Sequence, residues 1–216
     1  MEFRGRERVG FQLAGSVPTA QARDRTGGNV PVDDAQGRVP VRLTVLALEE
    51  LQGKPLPLKL SYLEAIWRVG VVLRKKPAWL VVKVDIDRPL ARSLAGWLMS
   101  YPTRAASLRL SDEPRALELG VRAGSVGLVV RAELNTLAPK DEDKRPWATR
   151  NGARFFRVPW GHATPSSRQG AYVTLEDSGL AQATLGEGLE WEEGATVWRG
   201  RAHESSVDSK GVHVCI

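Results

Sequence analysis

Three short stretches of the chain carry the side chains best suited to chemistry. The first is Ser61-Tyr62-Leu63-Glu64. A carboxyl set within LSYLEAIW needs a partner or a task if it is buried, because an unpaired charge is costly to remove from water. The second is Tyr101-Pro102-Thr103-Arg104, a sharp turn that offers a phenol, a hydroxyl and a guanidinium within four residues. The third is Lys83 in WLVVKVDI, an amine among β-branched residues. No Gly-rich phosphate loop, G-x-G-x-x-G fingerprint or G-x-S-x-G elbow is present. The histidines, His162, His203 and His213, are scattered, and the spacing of the last two matches no common metal-ligand pattern. His162, in PWGHATP, reads as a general base or simply as a surface loop residue. No metal and no organic cofactor is expected.

Several elements must position these groups. RVPVRLTVLAL alternates and reads as a strand from about residue 39, and QGKP reads as a turn. LPLKLSYLE and AIWRVGVVLR read as two more strands, and WLVVKVDI, residues 79–86, alternates most clearly. A helix over about 88–100 follows. Asp87 is its expected N-cap and Pro89 fits its first turn. Leu90, Leu94, Trp97 and Leu98 form its apolar stripe, and Pro102 ends it. Beyond it lie AASLRLS, RALELG, VGLVVRAEL, ARFFRVPW, QGAYVTLE, LAQATL and ATVWRGRA, all short and bounded by turns. This spacing predicts a mainly β (α+β) fold, an antiparallel sheet rolled into a cone-like barrel or half-barrel with one prominent helix. Residues 1–38, Gly- and Arg-rich, read as a flexible arm with at most a short strand near Val9–Leu13. Residues 39–203 read as the folded domain. Residues 204–216 read as a disordered or artificially appended tail. PKDEDKRP, residues 139–146, reads as a solvated hairpin tip.

The order of these features is more specific than any one of them. S-Y-x-E at 61–64, D-x-D-x-P at 85–89, a helix containing Gly96, then Tyr101-Pro102 and a strand resemble the acetoacetate decarboxylase superfamily over residues 39–185. ARFFRVP is a looser likeness to that family's Pro-preceded strand. The resemblance implies a buried, cone-shaped pocket and self-association into oligomers. In the family, the first lysine after Y-P forms a Schiff base with a substrate ketone, and a second lysine lowers its pKa. Here those positions hold Thr103 and Arg104. Threonine cannot form an imine, and arginine stays protonated. A family glutamate on the preceding strand falls at Thr44, and Glu64 is the acid carried over. The family's N-terminal arginine has no assignable match among Arg4, Arg6 and Arg8.

Two readings of the turn follow. In one, the pocket binds a small carboxylate or carbonyl compound. Arg104 clamps an anion, Tyr62, Tyr101 and Thr103 supply hydrogen bonds, and Glu64 and Thr103 form the catalytic pair. In the other, Tyr101 packs, Thr103 starts a strand, and Arg104 faces solvent or pairs with Glu64. Lys83 reaches the pocket if its face lines the cone, and otherwise alternates outward in the ordinary way. The expected function is that of a diverged member with a small-molecule pocket and no Schiff-base decarboxylation. A non-catalytic carrier or sensor is the second reading.

Lys+Arg 31 against Asp+Glu 25 leaves a charge of +6. The basic residues are interspersed with acids, so a nucleic-acid-binding barrel is only a third reading. One cysteine, Cys215, excludes an intramolecular disulfide. No apolar run approaches the ~18 residues of a membrane span. The expectation is a cytoplasmic protein with a small-molecule ligand, no membrane partner and a homo-oligomeric state implied by the resemblance.

Overall fold

A computed structural model describes residues 2–54, 58–134, 145–152, 154–158, 160–162, 167–206 and 213–214. Strands β1 (Glu2–Pro18), β2 (Arg38–Lys54), β3 (Lys59–Leu73) and β4 (Lys76–Ile86) make an antiparallel meander. On the far side of β1 lies β13 (Glu190–Ser206), followed by β12 (Ser167–Asp177), β8 (Val126–Leu134), β7 (Ala116–Ala123) and β6 (Ser107–Asp112). Strand β5 (Thr103–Ala105) runs parallel to β4 and feeds β6, so the sheet curls round until its ends almost meet. The result is mostly β, a barrel closed except at one seam, as the strand spacing predicts. Beyond β4 the sheet continues through β9 (Trp147–Asn151), β10 (Arg154–Val158) and β14 (His213–Val214), and β11 (Trp160–His162) pairs with β13.

Two apolar layers result. Val9, Phe11 and Leu13 of β1, alternate residues of β2 from Val39 to Ala47, and Leu117, Leu119, Leu128 and Val130 fill the barrel. Helices α1 (Thr19–Thr26) and α3 (Gly179–Leu185) add Ala22, Leu180, Ala181 and Leu185 to that core. On the outer face, Ile66, Trp79, Val84 and Ile86 pack with Ala91 and Ala95 of α2 (Pro89–Met99).

Register shifts decide which face each side chain joins. One lies between Glu7 and Val9 where β1 meets β2, and another between Leu48 and Leu51 where β2 meets β3. A bulge puts an extra residue in one strand and so reverses the inward–outward alternation beyond it. Phe3 and Leu51, beyond the shifts, therefore belong to the outer layer with Leu46 and Leu48, while Val9, Val45 and Ala47 belong to the barrel. On β13, Gly200 sits at φ 66, a left-handed conformation that glycine adopts without strain. Trp198 joins the outer layer. It lies across Gly10, where any Cβ would fall 1.9 Å from the indole.

Several expectations are corrected. Residues 1–38 are not an arm: β1 pairs with both β2 and β13 at the centre of the sheet, and α1 follows it. Each fully buried apolar side chain of β1 contributes about 1.5–3 kcal/mol, which holds the strand in place. LAQATL is helical, within α3, because Leu180, Ala181, Thr184 and Leu185 form one buried face. QGKP is no turn through residue 54, since β2 runs to Lys54. LPLKLSYLE and AIWRVGVVLR lie on one strand, β3. Residues 204–206 complete β13 and His213–Val214 pair with β10, which corrects the tail; its other residues lie outside those described. The same holds for residues 139–144 of the charged loop, while Arg145 pairs with Asp33 at 2.5 Å.

Candidate functional site

Helix α2 lies over the outer face of β3, and a cavity of about 40 Å³ separates them. That volume exceeds what one water requires. Arg88, not Asp87, occupies the N-cap position. Asp87 instead accepts the Leu63 backbone N–H at 3.0 Å and ties the helix start to β3. Pro89 begins the helix and Ser100, at φ 51, ends it. The face turned to the sheet is Ala91, Leu94, Ala95 and Leu98. The small alanines let the helix approach closely. Leu90 and Trp97, read above as part of the apolar stripe, are exposed at 49% and 75%.

Apolar side chains dominate the lining, including Phe3, Leu48, Leu51, Leu60 and Met99. Four polar residues interrupt it: Tyr62, Glu64, Tyr101 and His203. Glu64 is 3% exposed. Burial, and then the nearby Glu7 carboxylate, push its carboxyl up from 4.5 to about 8, against a hydrogen bond from the Tyr62 hydroxyl. The Tyr62 phenol is raised well above its ordinary value, first by burial and then by the Glu64 charge. At neutral pH most Glu64 side chains are therefore protonated and act as hydrogen-bond donors.

A second polar group sits beside this one. Glu7 accepts the Trp198 indole N–H at 2.7 Å through Oε2, and its Oε1 lies 3.0 Å from His203 Nδ1. Arg201 Nε is 3.9 Å from Oε2, and its guanidinium lies 5.7 Å from the Trp198 ring centroid. All four side chains are buried. Sequence reading missed this cluster. Glu7 and His203 are 196 residues apart, and Glu7 stood within a segment read as an arm. The available signal was the period-two series Phe3, Glu7, Val9, Phe11 and Leu13, interrupted by glycines and a bulge.

The structure brings three of the residues singled out above, Tyr62, Glu64 and Tyr101, to one cavity. Thr103, Arg104 and Lys83 are not among its lining residues. Thr103 pairs with Val84 and lies beneath α2, its Oγ1 3.5 Å from where a Cβ on Gly96 would be. Arg104 makes a fork to Asp85, Nε to Oδ1 at 2.5 Å and Nη2 to Oδ2 at 2.9 Å, and reaches Thr184 Oγ1 at 3.1 Å. Asp85 also accepts the Trp67 indole N–H at 2.7 Å. Trp67 belongs to the barrel core, so this ion pair lies on the face opposite Glu64. Lys83 is half-buried and stands opposite Trp67 in the register. Among the described residues, no lysine lines the cavity and no cluster of three or more His, Cys, Asp or Glu could hold a metal ion.

No protein-family model and no curated protein matches the chain. Solved structures do. Acetoacetate decarboxylase from Legionella pneumophila superposes with a TM-score of 0.76 at 12% identity, over 99% of this chain and 87% of that one. An acetoacetate decarboxylase-like enzyme from Sphingomonas wittichii RW1 has a TM-score of 0.69 at 11% identity, over 98% of this chain and 92% of that one. The enduracididine biosynthesis enzyme MppR, complexed with pyruvate, has a TM-score of 0.69 at 10% identity, over 99% of this chain and 89% of that one. The chain is thus built on the acetoacetate decarboxylase fold.

Proposed function

We propose that the chain takes a small carbonyl or carboxylate compound into the cavity beneath α2 and acts on it by proton transfer through Glu64, without imine chemistry. The observation that carries this reading is a buried carboxyl, its pKa raised by that burial, facing an apolar cavity beside two tyrosines. Such a group donates a hydrogen bond, or a proton, to a carbonyl oxygen in an apolar site. The lining without a lysine, and Thr103 in place of the nucleophile the resemblance implies, support the absence of a Schiff base. Pyruvate, bound by MppR, suggests the size and class of ligand. Arg104 and Lys83 are assigned no contact with ligand, since both lie away from the lining.

The test is binding of pyruvate and of acetoacetate, followed by borohydride reduction and mass spectrometry of the intact chain. Saturable binding with no added mass is expected. A reduced adduct on any lysine, Lys83 included, would overturn the imine-free reading. Binding that survives Glu64→Gln, with no turnover by either form, would favour the carrier reading over the enzyme.

A further inference from the structure

We propose that His203, held by Glu7, is the proton acceptor of this cavity, so that the site enolises a small ketone or 2-oxo acid between two groups of one lining. The inference deepens the reading above and rests on it. Its basis is the Glu7 cluster, which spends four buried polar side chains beside an apolar cavity that only one of them lines. The Trp198 N–H can only donate, so it fixes Oε2 of Glu7 as an acceptor. Oε1 is left for the imidazole at 3.0 Å. An ionised Glu7 can only accept, so Nδ1 carries the hydrogen and Nε2 carries the lone pair. Arg201 lies on the far carboxylate oxygen and balances the Glu7 charge. Among the described residues, the charged and titratable groups around His203 include Glu7 on β1, Arg201 on its own strand, Tyr62 and Glu64 on β3, and Tyr101 after α2. His162 is its register partner on β11.

With its carbonyl oxygen at Glu64, the substrate loses an α C–H proton to His203 Nε2. The C–H electron pair becomes the C=C bond, the carbonyl π pair moves onto oxygen, and that oxygen takes the proton from Glu64. An enol, a Glu64 carboxylate and a His203 imidazolium result, with total charge unchanged. Glu7 stabilises the imidazolium. Reversal returns a proton to carbon from His203 and restores the Glu64 carboxyl. No oxidant, metal or cofactor enters the balance. In D2O the returned particle is a deuteron, so the step is read as loss of the α-proton signal.

The experiment follows pyruvate and 2-butanone by proton NMR in D2O with the full chain, alongside saturation-transfer measurement of their binding. The intact protein is expected to accelerate α-exchange over buffer by at least about 100-fold. His203→Gln should lose that acceleration while still binding. Glu7→Gln should lower kcat for exchange and leave KM unchanged, because the carboxylate orients the imidazole without touching the substrate. A role in folding alone would not split the two constants. Nitrogen-15 shifts of the unmodified protein supply a readout independent of whether the variants fold: the Nδ1–H tautomer is expected at His203, and the Nε2–H tautomer would overturn the assignment. Failure of both probes to bind would sink the cavity reading and this inference with it. Binding without exchange, or exchange unchanged in His203→Gln, would sink only the inference.

Discussion

Glu64 is where residue chemistry and stability meet. Its carboxyl holds a proton in the folded chain up to about pH 8, against 4.5 ordinarily. The folded state therefore binds more protons than the unfolded state across that window. The stability this contributes is complete below pH 4.5 and is lost as pH rises through 8. Every tenfold gain in proton affinity is worth about 1.4 kcal/mol, so the loss amounts to several kcal/mol. Glu64→Gln keeps the shape and removes the titration. The variant should gain stability relative to the parent steadily between pH 5 and pH 8, with the difference level by pH 9. Urea unfolding of both proteins at pH 5, 7 and 9 measures this, and a pH-independent difference would mean that folded Glu64 is ionised. Tyr62 and Glu64 were legible because one strand spells both, with a single residue between them. His203 and Glu7 were not, because nothing local in either strand encodes a contact across 196 residues.

At the scale of elements, the close approach of backbone to side chain sets what each strand tolerates. Gly10 has no room for a methyl group beneath the Trp198 indole. Gly10→Ala should displace Trp198, break its bond to Glu7 and cost about 1–3 kcal/mol, within the usual range for overpacking. Chemical denaturation would show the loss, and tryptophan fluorescence should report the movement. An unchanged midpoint would mean that the indole does not lie where Gly10 places it. The same glycines explain why β1 was hard to read. Gly5, Gly10 and Gly15 interrupt its apolar alternation, and the shift after Glu7 changes its phase. β2 and β4, with runs of alternating apolar residues free of glycine, declared themselves. α3 did not, because seven residues span too few turns to show a helical period. Its helicity comes from tertiary burial against the barrel.

For the molecule as a whole, the short strand β5 must stay joined to β4 and α3, and Asp85 and Arg104 reinforce that join. The pair links β4 to β5, and Arg104 extends the link to α3 through Thr184. Asp85 is fully buried, and in addition to Arg104 it satisfies the Trp67 indole inside the barrel. Removing one partner of a buried pair leaves the other charge uncompensated, which costs about 3–5 kcal/mol. Asp85→Ala should lose about that much in urea unfolding. Pairing it with Arg104→Leu should recover part of the loss, since the double variant leaves no orphaned charge between β4 and β5. The cavity lies on the other face of the sheet, so Arg104→Leu should bind pyruvate as the parent does at any temperature where it stays folded. The opposite outcome, a folded Arg104→Leu chain that no longer binds pyruvate, would mean that the guanidinium reaches the ligand and would return the turn after α2 to the site. The two measurements separate a residue that braces β5 against β4 from one that reads the cavity's contents, a distinction that Tyr101-Pro102-Thr103-Arg104 does not make as a sequence but its register against β4 does.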